Sequence, residues 1–265
     1  MRHPVVVRIT HWVNVICVLF LLMSGLQIFN AHPQLDWGKD TNFEAGELLS
    51  IGAERAGGRD VGVTTLLGHQ IETTGILGVS TSDGEVEARA FPAWATLPSR
   101  RHLAAGRRWH FFFAWILVLN GLVYVIYGLL SGHTWRDLVP STEQLKALPR
   151  SVWNHIRLQF PKGEEAKHYN VLQKLSYLII IFGVLPVLIL AGLTMSPALN
   201  AAFPGVLELF GGRQSARTMH FLAATALVAF VIVHVVMVLV SGAYNNIRSM
   251  INGWYAIEPE AEHGE

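Results

Sequence analysis

The stretch "HFLAATALVAFVIVH", residues 220 to 234, sets thirteen uncharged residues between two histidines. Fourteen steps along an α-helix advance about 21 Å and turn about 1400°, within ~40° of four full turns. Both imidazoles therefore project from one face of a helix, at two depths. Everything between them is fit for lipid. Ionisable side chains are costly in that setting, so they turn toward a bundle interior and mark function. The plainer reading is two separate core histidines, each satisfied by its own hydrogen bond, and the rest of the chain bears on the choice.

Of 265 residues, 51% are hydrophobic and only 15% charged, a composition of membrane proteins rather than of soluble domains. Four runs reach the ~20 apolar residues that a bilayer crossing needs: 5–29, 110–132, 175–195 and 220–242. The first is too long for a signal peptide's apolar region and no A-x-A-like site follows it, so it is expected to persist as a helix. The expected fold class is an all-α membrane protein, one four-helix transmembrane bundle over residues 1–265, with an external insertion at 30–106 between helices one and two.

Six Lys/Arg lie in 133–172 (Arg136, Lys146, Arg150, Arg157, Lys162, Lys167) and only Arg213 in 195–216, which puts the first loop in the cytoplasm and the second outside. Both termini are then cytoplasmic, Arg2, Arg8 and the acidic tail "EPEAEHGE" included. The insertion holds ten acids and six bases. Its runs "VGVTTLLG" (61–68) and "TGILGVSTS" (74–82) predict a small β-hairpin over the membrane surface, a cap or docking surface rather than an enzyme domain. "STEQLKALPRSVWNHIRLQF" (141–160) begins with an N-cap pattern and predicts an interfacial helix, and Pro186 predicts a kink in the third span.

A net charge of +1 and the lack of a basic run with interleaved aromatics argue against nucleic acid. The single cysteine, Cys17, rules out an intrachain disulfide and a CxxCH site for covalent haem, and reads as a small core residue.

Two other spans start with histidine: His11 in "RITHW" and His110 in "RRWHFFF". With the orientation above, His11 and His234 share an inner level, and His110 and His220 an outer one. Two imidazoles at each level suit six-coordinate haem iron, whereas zinc wants three or four ligands at one depth. The HxxxH and HExxH boxes of membrane desaturases and metallopeptidases are missing from the spans. With both axial positions filled no substrate reaches the iron, so no catalytic residue is expected.

Arg8, Arg107 and Arg217 stand three residues before His11, His110 and His220, on the same helix face and one turn nearer water. The macrodipole opposes a cation at a helix N-terminus, and the inside-positive bias gives no reason for Arg107, Arg108 or Arg217 on the outer side. Haem propionates do give one; lipid phosphate is the other available partner. Gly25, Gly121, Gly128 and Gly192 permit close approach of a macrocycle or a backbone. The remaining histidines, His3, His32, His69, His102, His133, His155, His168 and His263, fall in loops or at termini and are expected to be exposed.

"RITHW", "RRWHF", "RTMHF" (217–221) and "IVHVV" (232–236) together resemble the bacterial di-haem cytochrome b subunits that anchor nickel-iron hydrogenases, formate dehydrogenases, thiosulfate reductases and related molybdenum enzymes. All four spans share in the likeness. "YNVLQKLSY" (169–177), "GLTMSP" (192–197) and "NNIRSMINGWY" (245–255) resemble a branch whose partner is often a periplasmic molybdopterin oxidoreductase. The resemblance implies two haems b, a quinone site near the inner haem with Arg8 and the loops around His133 and Tyr244 nearby, a bacterial inner-membrane location and electron transfer between the quinone pool and a periplasmic catalytic subunit. The outer loop is longer than in the hydrogenase and formate dehydrogenase members. Two other functions compete: a stand-alone haem b quinone oxidoreductase taking electrons from a small external reductant such as superoxide, and a histidine-relay transporter, which would call for broken helices in two repeated halves.

Overall fold

The computed structural model describes residues 3–39, 47–82, 84–157 and 170–256. Along the chain run α1 (Val5–Phe29), an insertion of six strands, α2 (Leu103–Leu130) and a π-helical turn (Thr134–Leu138). The short helices α3 (Thr142–Lys146) and α4 (Leu148–Ile156) follow, then α5 (Val171–Thr194), α6 (Pro197–Ala202), α7 (Pro204–Leu209), α8 (Arg213–Val240) and α9 (Ala243–Asn252). Among the described residues α1, α2, α5 and α8 are the four helices long and apolar enough to cross a membrane. The molecule is thus a mostly helical membrane protein with a β insertion after its first helix. Arg2, Lys162, Lys167, His168, His263 and the acidic tail lie outside the described residues.

The helices outrun the apolar runs. α2 starts at Leu103 and α8 at Arg213, so Arg107, Arg108 and Arg217 are helical and His110 and His220 sit about two turns in. Hydropathy marks where lipid begins, whereas a helix begins where its free N–H groups find acceptors. At α2 the Ala105 N–H donates to His102 Nδ1 at 3.1 Å. α5 starts four residues early on an Asn170–Gln173 capping box, with the Leu172 N–H on Asn170 Oδ1 and the Asn170 N–H on Gln173 Oε1.

Proline explains two irregularities. The kink expected at Pro186 takes the form of a π-helical turn over Ile180–Val184, in which the Leu185 N–H reaches back to Ile180 O. Widening the turn accommodates a ring that lacks an N–H and crowds the carbonyl one turn before it. The interfacial segment is two helices, not one: α3 opens on a Ser141–Gln144 capping box and ends at Lys146 with Ala147 as its C-cap, and α4 begins at Leu148 with Pro149 in its first turn.

In the insertion, β1 (Gln34–Leu35), β2 (Leu49–Ala56), β3 (Arg59–Leu66) and β4 (His69–Glu72) form an antiparallel sheet in that order, and β5 (Val79–Ser82) pairs with β6 (Glu85–Ala88). The two runs expected to pair with each other belong to different sheets. Gly57 and Gly58, at φ 60° and 80°, make the tight two-residue turn that joins β2 to β3, the geometry such hairpins require. β2 escapes hydropathy because five of its eight residues are exposed.

Contacts divide the chain into two compact units. One comprises Met1–Val13, Leu119–Pro186 and Thr225–Glu265; the other, Asn14–Val118 and Val187–Ala224. Each holds a portion of every membrane helix. In the second unit Phe29, Leu35, Ile51 and Ala90 form a buried cluster, with Phe91 and Phe221 packed against it. Arg89, its side chain wholly buried, ties the insertion to α1: it donates to Gln27 Oε1 (3.0 Å), Thr96 Oγ1 (2.9 Å) and Ser99 O (2.7 Å). Cys17 is buried, as expected. His32, His69 and His102 are exposed, but His3 and His133 are buried, contrary to the expectation for loop histidines.

Candidate functional site: two imidazole pairs

Four histidines come together as two pairs, one in each unit. In the second unit the rings of His110 and His220 lie 6.1 Å apart, centroid to centroid, at 66° to each other. In the first unit His11 and His234 lie 6.2 Å apart at 65°. A metal–imidazole bond is about 2.0–2.1 Å and a ring centre lies about 1 Å behind its nitrogen, so two imidazoles on opposite sides of one metal atom have centroids about 6 Å apart. Both pairs have this spacing. Among the described residues no three His, Cys, Asp or Glu side chains gather at one place, so the donor set is two imidazoles per site.

In the pair of the second unit, hydrogen bonding fixes which nitrogen is free. Ser24 Oγ gives its single proton to Phe20 O at 2.6 Å, so it accepts from His110 Nδ1 at 3.1 Å. His220 Nδ1 donates to Leu188 O at 2.8 Å, since a carbonyl only accepts. In both rings the proton is on Nδ1 and the lone pair on Nε2, the state of a histidine ready to bind metal through Nε2. Glycines make this approach possible. A Cβ on Gly192 would lie 3.1 Å from His220 Cε1 and Nδ1, and one on Gly25 would lie 3.4 Å from His110 Cε1. These glycines back the imidazoles themselves, whereas a Cβ at Gly121 would meet nothing within 4 Å and one at Gly128 would strike Thr134 Oγ1 at 2.5 Å.

The pair of the first unit is held by rings. Phe230, one turn before His234, stacks on it at 5.9 Å and 18°; Trp12 meets His11 edge-on at 5.4 Å. Asn120 Nδ2 donates to Thr10 O at 2.8 Å, joining α2 to α1 beside His11. Among the described residues neither His11 nor His234 makes a ring hydrogen bond.

The three arginines have protein partners already. Arg8 Nη1 donates to Ile251 O at 2.6 Å and Trp12 Nε1 to Met250 O at 3.0 Å, satisfying carbonyls left open in the last turn of α9. Arg8 Nε is buried and has no hydrogen-bond partner among the described residues. Arg107 lies 5.7 Å over the Phe111 ring, and Arg217 bonds His32 O and lies 5.8 Å over Phe29. Tyr244 is exposed on α9, in a hollow it shares with Ile247, Arg248, Ile251 and Asn252. Sequence reasoning missed Ser24, the Leu188 carbonyl and, in the first unit, the burial of His133 against the half-exposed Asp137. Ser24 and Gly25 stand side by side in "MSGL", a small-residue signal that close helix packing would produce equally well.

Comparison with known proteins agrees with this architecture. The family model for prokaryotic cytochrome b561 matches residues 2–253. A protein of Azospira oryzae that carries the name protein-methionine-sulfoxide reductase subunit YedZ1 is 28% identical over 236 residues, 89% of each chain. No solved structure matches the chain. A match over nearly the whole length, on a chain with four membrane helices, makes this protein a member of the prokaryotic cytochrome b561 family, membrane electron-transfer subunits that bind haem b.

Proposed function

We propose that the chain holds two haems b and passes electrons between membrane quinone and a periplasmic oxidoreductase, one using molybdopterin. His110 and His220 would ligate one haem through Nε2, and His11 and His234 the other. The observation that carries this reading is the repeated spacing, 6.1 and 6.2 Å between ring centres, together with free Nε2 lone pairs in one pair. Bound in this way, haem iron exchanges single electrons and has no open position for substrate. The protein's own residues hold His110 and His220 in one tautomer, pack Phe230 and Trp12 against the His11/His234 pair, and leave guanidinium donors for carboxylates. Arg8, Arg107 and Arg217 are the proposed partners of the haem propionates.

The reductase-subunit name of the Azospira oryzae relative supports a partner enzyme rather than stand-alone activity. The proposed location is the bacterial inner membrane, with both termini in the cytoplasm and the β insertion facing the partner. A pyridine haemochrome assay on the purified chain tests the reading: two haems b per polypeptide are expected, and one or none overturns it.

A further inference from the structure

His133 follows α2, buried to 92% of its side chain, and its Nδ1 lies 2.6 Å from Asp137 Oδ2 across one turn of the π-helical segment. The Asp137 side chain is 47% exposed. A carboxylate accepts from Nδ1–H, so the neutral ring carries its lone pair on Nε2. That nitrogen is buried and has no hydrogen-bond partner among the described residues. An unsatisfied polar atom in such a place destabilises the fold, which an apolar residue would avoid. The rings of Tyr124 and Tyr127, both partly exposed, each lie 6.4 Å from the imidazole. In the same unit Tyr177 meets Phe230 at 6.4 Å, and Phe230 stacks on His234. Aromatic rings thus line both His133 and the histidine pair of the same unit.

We propose that His133 and Asp137 are a proton-transfer dyad for a hydroquinone seated against Tyr124 and Tyr127, His133 being the base and Asp137 its positioning partner. The proposal rests on the quinone reading above. Oxidation of one hydroquinone releases two electrons and two protons; two ferric irons are reduced to ferrous in turn, and quinone is left. Each proton leaves a hydroxyl oxygen for His133 Nε2. The imidazolium so formed is stabilised by the carboxylate 2.6 Å away and passes a proton through it to water on the exposed side of Asp137. Quinone reduction uses the same two groups in reverse. A bare structural ion pair would account for Nδ1 and leave Nε2 unexplained.

The test compares wild type with His133→Gln and Asp137→Asn in detergent, using decylubiquinol and menadiol as donors of electrons with protons and reduced methyl viologen as a donor of electrons alone. General bases contribute about 10²–10⁴-fold, so His133→Gln should slow haem reduction by quinol at least ~100-fold, and Asp137→Asn by about tenfold. Haem content and the viologen rate should stay at the wild-type values. A quinol rate unchanged in both variants overturns the dyad, as does an equal fall in the quinol and viologen rates. If His133→Gln loses haem, Asp137→Asn alone decides. Failure of either quinol to reduce wild-type haem, with viologen still active, sinks the quinone reading itself.

Discussion

A neutral imidazole has one proton and one lone pair, and whatever takes the proton decides what the lone pair faces. Ser24 and the Leu188 carbonyl make that decision for His110 and His220. On the proposed ligation, His220→Ala and His234→Ala should each lower measured haem content from two per chain to one, leaving different haems behind; a content still at two refutes the assignment. Gly192→Ala should disturb the haem at His220 more than Gly25→Ala disturbs it at His110, because the added methyl meets the ring at 3.1 Å rather than 3.4 Å. Optical and paramagnetic resonance spectra of the two variants would show the ranking. Arg217→Ala should lower the potential of the haem at His110/His220, since a nearby cation disfavours the more positive ferric iron; a redox titration reads the shift. The four histidines were legible because ionisable groups in apolar runs stand out. Ser24 was not, because a hydroxyl in a membrane helix commonly bonds only to its own backbone, and here it does that as well. His133 was assigned to the surface from its place in a loop, and nothing local in "SGHTW" signals burial.

At the scale of elements, the insertion depends on one buried guanidinium. Arg89→Gln leaves acceptors on Gln27, Thr96 and Ser99 without their donors, a loss of about 1–3 kcal/mol for each buried group left unsatisfied. Limited proteolysis should then cut within 47–90 sooner than in wild type, while haem content holds. The existence and order of the membrane helices followed from hydropathy, but their starts did not, because α2 and α8 run through arginine-bearing turns that lie beyond the apolar stretch. Strand pairing was misread for a different reason. Register in this small sheet is set by the Gly57-Gly58 turn, and β2 lacks the apolar alternation that reveals a half-buried strand.

For the whole molecule, composition and four apolar runs were enough to place it in a membrane, and the histidine-bearing motifs were enough for the family. The orientation proposed from loop charge has a direct test: a reporter enzyme active only in the cytoplasm, fused after Glu265, should be active, and one active only in the periplasm should be silent. The contrast between the two imidazole pairs bears on maturation. On the proposed ligation, His110 and His220 have their Nδ1 protons committed to Ser24 and Leu188, so the protein's own hydrogen bonds orient that cradle. Among the described residues His11 and His234 have neighbouring rings and no ring hydrogen bond to steer them, so on the same proposal the macrocycle itself would fix them in place. In haem-starved cells the half-loaded chain should therefore carry its single porphyrin between His110 and His220, with the second site filling last and emptying first.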